Sequence, residues 1–338
     1  MSISARLLFL AAALGFLPVY SLLPAAARAE APQVNTQAPG FYRLMLGAFE
    51  VTALYDGYFD LDANLLYNMP SEAIRSRLAE RFNLRDGKFQ TAVNAYLINT
   101  GTKLVLVDAG NPSGSDGSAG HLLVHLKAAG YAPEQVDAVL LTHLHGDHAG
   151  GLLNVAGKAL FPNATIYMSK TEADFWLPED AAKRAIARGL IPKAMRAEQL
   201  ASVFRATKAP LAPYEAAGRV KTFEDGERIL PGIRSLAAHG HTPGHAGFEV
   251  ESNKAKLLIW GDIVHSAAVQ FAQPAVGIAF DSDDKQAVAT RKAILKRAAR
   301  EKLLIAGMHL PFPGIGHVVT NGGESYEWIP VEYSPIRE

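Results

Sequence analysis

Short apolar runs separated by Gly, Asn and Asp recur along the chain and set its predicted elements. Phe41 to Leu46, Phe49 to Tyr55, Ala95 to Asn99 and Leu104 to Asp108 have the length and residue types of strands and end at turn formers. A helical pattern runs from about Ala119 to Ala129, and Gly130 is a usual helix stop. Val136 to Leu141 then reads as a short buried strand. From Thr171 to about Ala217 the pattern is helical and rich in Ala, Arg and Lys, with Trp176 and Phe204 inside it. The strand rhythm returns at Arg219 to Phe223, Ile233 to Ala238, Gly247 to Val250 and Leu257 to Trp260. A helix over Asp284 to Arg300 and a strand over Leu303 to Gly307 complete it. Each half alternates strands with helices and no linker divides them, which predicts one domain over residues 30–338 made of two similar β-rich halves with helices outside.

The N-terminus follows a different pattern. Arg6 precedes the apolar stretch Leu7 to Leu23, and small residues lead to Ala27-Arg28-Ala29-Glu30, the order of a secretory signal peptide cleaved after Ala29. Gly15 and Pro18 interrupt the stretch, and it falls short of the ~20 residues of a spanning helix. The expectation is an exported, periplasmic or secreted protein with no stable membrane anchoring after cleavage. Without residues 1–29, which contain Arg6 and Arg28 and no acids, the 33 basic residues become 31 against 33 acidic ones. That balance gives no electrostatic footprint for nucleic acid. Cysteine is absent, which excludes disulfides, thiolate metal sites and a cysteine nucleophile. Any metal must sit on histidine and carboxylate.

Such residues are concentrated in one place. His143, His145, Asp147 and His148 fall within six positions of a chain that has 11 histidines. In a loop after a buried strand, His143 and His145 can share one ion while Asp147 and His148 turn toward another. This run cannot fill two coordination spheres alone. Three later candidates, His241, Asp262 and His309, each stand where a buried strand meets a loop, and a carboxylate such as Asp262 can bridge two cations.

His143-Leu144-His145-Gly146-Asp147-His148, Gly240-His241-Thr242-Pro243-Gly244-His245, Gly261-Asp262 and His309 together resemble the ordered motifs of the metallo-β-lactamase superfamily. Ala31-Pro32-Gln33-Val34, Leu126 to Tyr131, Asp174 to Leu177, Ala267 to Phe271, Asp281 to Asp283 and Phe312 to His317 extend the resemblance to methyl parathion hydrolase-like periplasmic hydrolases. The resemblance implies an α+β fold, an αββα sandwich of two mixed sheets packed face to face with helices outside and the metals at one edge. It also implies two divalent ions, zinc first and manganese, cobalt or iron as alternatives. One ion would be held by His143, His145 and His241, the other by Asp147, His148 and His309, with Asp262 bridging and a hydroxide between them as nucleophile. Asp147 and Asp262 are the catalytic candidates. Diiron members carry a glutamate where His145 stands, and the commonest zinc β-lactamases use a cysteine ligand, so the resemblance favours hydrolysis of another substrate.

The expected substrates are small neutral esters: organophosphate triesters, aryl esters or lactones, including acyl-homoserine lactones. The alternative is a metal-binding protein of this fold without turnover. Trp176, Phe271, Phe204, Phe175, Leu65 and Leu66 are candidates for an apolar pocket wall. Relatives of this kind resemble homodimers. Asp108 reads as a partner that orients ligands or caps a turn. His245 reads as an outer partner rather than a ligand, His239 as a hydrogen-bonded loop residue, and His121 and His125 as structural. His265 and His317 are open between a pocket and a packed role.

Overall fold

The apolar runs order themselves into two mixed sheets in the computed structural model, which describes residues 31–114 and 117–336. The predicted signal segment lies outside the described residues. Residues 31–38 are exposed and irregular, and residues 39–338 form one unit. Among the described residues no helix is long and apolar enough to cross a membrane.

The first seven-stranded sheet is ordered Phe41–Leu46, Phe49–Asp62, Lys88–Asn99, Leu104–Val107, Ala138–Leu140, Thr165–Ser169, Val220–Phe223. It is antiparallel up to Leu104–Val107 and parallel from there on. The second is ordered Tyr326–Pro330, Ile315–Thr320, Leu304–Ala306, Ala255–Ile259, Ala246–Ser252, Ile233–Ala237, Arg228–Leu230. Its one parallel pair, Ala255–Ile259 with Leu304–Ala306, needs a crossover, and helix Asp284–Glu301 supplies it.

Period-two alternation explains the layering. Val105 and Val107 face the second sheet and pack with Phe248, Val250, Leu257 and Ile259, whereas Leu104 and Leu106 face the helices that carry Leu122, Leu126 and Phe204. On the far side of the second sheet, Leu258, Trp260 and Ile305 pack against Ile294, Leu295 and Ala298 of helix Asp284–Glu301. Each fully buried Leu, Ile or Phe contributes about 1.5–3 kcal/mol of transfer free energy. The expected αββα sandwich is therefore present.

Several boundaries differ from expectation. Strand Phe49–Tyr55 continues to Asp62, and Ala95–Asn99 begins at Lys88, because the pairing shifts register between Tyr55 and Gly57 and breaks the alternation that marks a strand. Gly57 has φ +149°, and a Cβ there would lie 2.0 Å from the Ser118 carbonyl oxygen. Helix Ser71–Glu80 buries only Ile74 and Leu78, too narrow a stripe to register as amphipathic. Strands Thr165–Ser169, Arg228–Leu230, Ile315–Thr320 and Tyr326–Pro330 were also not predicted. The helical region after Thr171 is four helices, Lys170–Trp176, Ala181–Arg188, Ala197–Lys208 and Ala212–Ala216.

Candidate metal centre

Four strand ends deliver the predicted donors. The chain leaves Ala138–Leu140 into Thr142–His148, Ile233–Ala237 into His241, Ala255–Ile259 into Asp262, and Leu304–Ala306 into His309. Asp108, just beyond Leu104–Val107, has φ +60°, unusual for a residue with a side chain. Its buried carboxylate accepts the Thr142 N–H, the Thr142 hydroxyl and His148 Nδ1–H, each at 2.8 Å, which fixes the first loop to the sheet.

The donors meet in two groups that Asp262 joins. His145 Nδ1 lies 2.9 Å from His143 Nε2 and 3.0 Å from His241 Nε2, and Asp262 Oδ2 lies 3.1 Å from His241 Nε2 and 3.6 Å from His143 Nε2. In the second group Asp147 Oδ2 is 3.3 Å from His148 Nε2 and 3.4 Å from His309 Nε2. Asp262 reaches that group too, with Oδ1 3.2 Å from His148 Nε2 and Oδ2 3.2 Å from His309 Nε2. Each group could hold one metal ion.

Hydrogen-bond chemistry tests whether these residues fit a cation. The outer nitrogen of each of four rings faces an acceptor: His148 faces Asp108, His241 faces Asp281 at 2.9 Å, His309 faces the Ala92 carbonyl at 2.8 Å, and His143 faces the Thr142 hydroxyl at 3.1 Å. With the proton there, each Nε2 carries a lone pair into the cluster, the arrangement that orients metal-binding histidines. His148 Nε2 and Asp262 Oδ1 are buried and have no hydrogen-bond partner although they stand 3.2 Å apart. Two acceptors at that distance require positive charge between them, a metal ion or, in its place, a proton on His148. Zn–N bonds of about 2.0–2.1 Å in a tetrahedron imply donor separations of about 3.3 Å, within the spread found here. The residues fit two divalent ions.

The electrostatics agree. Burial alone would raise Asp262, but His148, His309 and His143 hold it ionised, well below the usual carboxylate range. Asp147 is likewise lowered, its burial outweighed by His148 and His309. Burial pulls His241 down, yet Asp262 and Asp281 push it up to about 9. The metal-free protein therefore holds a proton on His241 at pH 7, and a metal must displace it. Metal binding at pH 7 will release at least one proton, and apparent affinity will rise with pH as that proton is lost. Calorimetric titration in buffers of different ionisation enthalpy measures this, and a binding enthalpy independent of buffer contradicts it.

The other expectations sort as follows. His245 is an outer partner: its Nδ1 faces the Ala238 carbonyl at 2.7 Å and its Nε2 accepts the Asp262 N–H at 3.0 Å. Gly261 makes room for it, since a Cβ there would lie 2.2 Å from His245 Nε2. His239 pairs with Asp225 in its loop, and His317 faces the Leu303 carbonyl, away from the cluster. His121 and His125 face the carbonyls of Gly117 and Tyr55. His265, left open, belongs to the site: its Nε2 lies 3.1 Å from Asp262 Oδ2 and its ring stacks on His309.

The expected pocket wall needs correction. A cavity of about 360 Å³ opens onto the cluster, and its apolar wall is Phe59, Leu61, Met195, Val203 and Phe280. Trp176, Phe175 and Phe204 instead form a buried aromatic group behind His145, with Trp176 5.9 Å from the His145 ring and 4.4 Å from Phe204. Helix Lys170–Trp176 turns Phe175 and Trp176 into the core, and helix Ala197–Lys208 turns Phe204 there. Phe271 stacks on Trp328 in the core beside the second sheet. Leu65 and Leu66 belong to a small core with Ile74 and Leu78. Sequence reading also missed two carboxylates that face the loops, Glu172 and Asp281. Asp281 lies 40 residues from its partner His241, and nothing in local spacing signals that contact.

Comparison with known proteins matches this geometry. The family model described as metallo-beta-lactamase superfamily matches residues 89–309. An N-acyl homoserine lactonase of Bacillus cereus is 24% identical over 184 residues, 48% of this chain and 60% of that protein. An atrochrysone carboxyl ACP thioesterase of Aspergillus novofumigatus is 30% identical over 143 residues, 40% of this chain and 41% of that protein. The matches thus span well under two thirds of these relatives' lengths. Among solved structures, hydrolase AbOPH of the beta lactamase superfamily is 39% identical, with TM-score 0.83, and covers 89% of this chain and 100% of its own. AidC, a dizinc quorum-quenching lactonase, is 28% identical, with TM-score 0.75, and covers 88% and 99%. With its sheets, its strand-end donors and this match over most of its length, the chain belongs to the metallo-beta-lactamase superfamily.

Proposed function

We propose that the chain is a metal-dependent hydrolase of small, uncharged esters, with lactones and aryl or phosphotriesters as the classes to test. The observation that carries this reading is the cavity over the cluster. Its lining combines the apolar wall with His145, Asp147, His241, Asp262, His265 and His309 and, among the described residues, contains no Lys or Arg. A neutral, partly apolar substrate would bury its apolar part against this wall while the cluster orients its ester group. Arg81, Arg85 and Lys88 line a neighbouring cleft that shares His265 and His309 with the cavity. The lactonase relatives favour a lactone.

His143, His145 and His241 would hold one ion and Asp147, His148 and His309 the other, with Asp262 shared; ions bound there supply Lewis acidity and acidify water. The rest falls to the chain. Phe59, Leu61 and Phe280 hold the apolar part of the substrate and exclude bulk water from the reacting bond. Asp147, ionised and with 20% of its side chain exposed, is the carboxylate placed to take a proton from the attacking water and pass it to the departing oxygen. Asp281 keeps the His241 proton on Nδ1, so Nε2 stays free for the site.

Protein loaded with two equivalents of zinc or manganese should hydrolyse at least one of an aryl ester, an acyl-homoserine lactone and methyl paraoxon. Metal uptake without turnover of any of the three would leave a metal-binding protein and remove the hydrolase reading. Truncating the wall with Phe280→Ala should raise KM by about 10–100-fold for a substrate with an aryl or acyl group and change kcat less. An unchanged KM would place the substrate elsewhere. Residues 1–29 are proposed to export the chain, with cleavage after Ala29. N-terminal sequencing of the mature protein tests this, and an intact Met1 in cell extracts would refute it.

A further inference from the structure

We infer that Glu172 is a positioning residue that clamps the two loops carrying His143, His145 and His241, so that their ring nitrogens converge on one ion. The inference rests on the metal centre proposed above. Glu172 is fully buried, and among the described residues no Lys, Arg or His side chain pairs with it. It is satisfied by four donors instead. Oε1 accepts the Leu144 N–H at 3.0 Å and the Trp176 indole N–H at 2.7 Å. Oε2 accepts the Thr242 hydroxyl at 2.7 Å and the Gly244 N–H at 3.0 Å.

The division of labour is informative. Leu144 stands between His143 and His145, while Thr242 and Gly244 follow His241. One oxygen therefore fastens each loop, and the rigid carboxylate sets the distance between them. The approach is close enough to require glycine: a Cβ on Gly244 would lie 2.0 Å from the Glu172 nitrogen. The same side chain anchors Trp176, whose ring packs on His145. An unpaired buried carboxylate is costly, and its retention here is explained by loop geometry rather than by charge pairing. Its four hydrogen bonds go to none of the second ion's donors, Asp147, His148 and His309.

Glu172→Gln tests the role. The amide keeps the shape but presents an NH2 group to one pair of donors, so one loop is released. Zinc titration against a chromophoric chelator resolves the two equivalents, and His145→Ala identifies the one belonging to His143, His145 and His241. Glu172→Gln should weaken that equivalent by about 10–100-fold and leave the other within about threefold. If it does not fold, Thr242→Val, which removes one donor and keeps the carboxylate, should weaken the same equivalent by about threefold to tenfold. Unchanged affinity for both ions, or equal loss at both, overturns the positioning role while leaving the proposed function standing. A wild-type protein that binds no zinc overturns the centre and this role together.

Discussion

Asp262→Asn is expected to remove nearly all hydrolytic activity, a fall of about 10³-fold or more in kcat/KM, and to cut tight metal binding below two equivalents. The reasoning is electrostatic. Asp262 is the one residue whose oxygens lie within 3.2 Å of donors from both groups, Oδ1 near His148 and Oδ2 near His241 and His309. Replacing a shared anion by a neutral amide removes a charge that both ions need and leaves five imidazoles facing one remaining carboxylate, Asp147. Metal-based stabilisation of a developing charge is worth several kcal/mol, and each 1.36 kcal/mol is tenfold in rate. Steady-state kinetics on the metal-loaded variant, with metal content measured on the same sample, reads both effects. Activity within tenfold of wild type at full metal loading would show that Asp262 is not shared.

Chelation is the second large effect. Exhaustive treatment with a chelator should abolish turnover and lower the melting temperature by roughly 10 °C, with both restored by zinc. A ligand at about 1,000 times its Kd stabilises the native state by about 4 kcal/mol, and for a chain of this size each kcal/mol moves Tm by about 2–4 °C. The structure gives the reason for coupling. His143, His148 and the Asp262 carboxylate are buried, and without an ion the cluster is balanced only by protons on its histidines in a desolvated site. Differential scanning calorimetry with and without chelator measures the shift. Identical melting curves and undiminished turnover after chelation would contradict the metal centre.

The candidate donors were legible because their pattern is local. His143 to His148 are consecutive, and His241, Asp262 and His309 each follow an apolar run that the period of two identifies as a strand. The two-sheet core was legible for the same reason, as in the alternation of Leu104, Val105, Leu106 and Val107 between two layers. What failed was whatever depends on direction rather than pattern. Trp176 and Phe204 are apolar and near the centre in sequence order, but hydrophobicity does not say which way a helix turns, and both face the core. Apart from Val203 on helix Ala197–Lys208, the apolar residues that line the cavity lie past a break in the pattern or outside regular elements. Phe59 and Leu61 follow a register shift, while Met195 and Phe280 stand in irregular segments. Glu172 carries no signal in local sequence, because its four partners come from two distant loops and its own helix. His265 lay three residues from Asp262 and was within reach of notice, yet a single histidine in an apolar stretch carries no signal until Asp262 and His309 are placed around it.

The central claim is that seven side chains from four strand ends hold two ions. Anomalous diffraction at the zinc absorption edge, on crystals of the zinc-loaded protein, tests it most directly. The account predicts two peaks, one bounded by His143, His145, His241 and Asp262 and one by Asp147, His148, His309 and Asp262. A single peak, or peaks away from these residues, would contradict it.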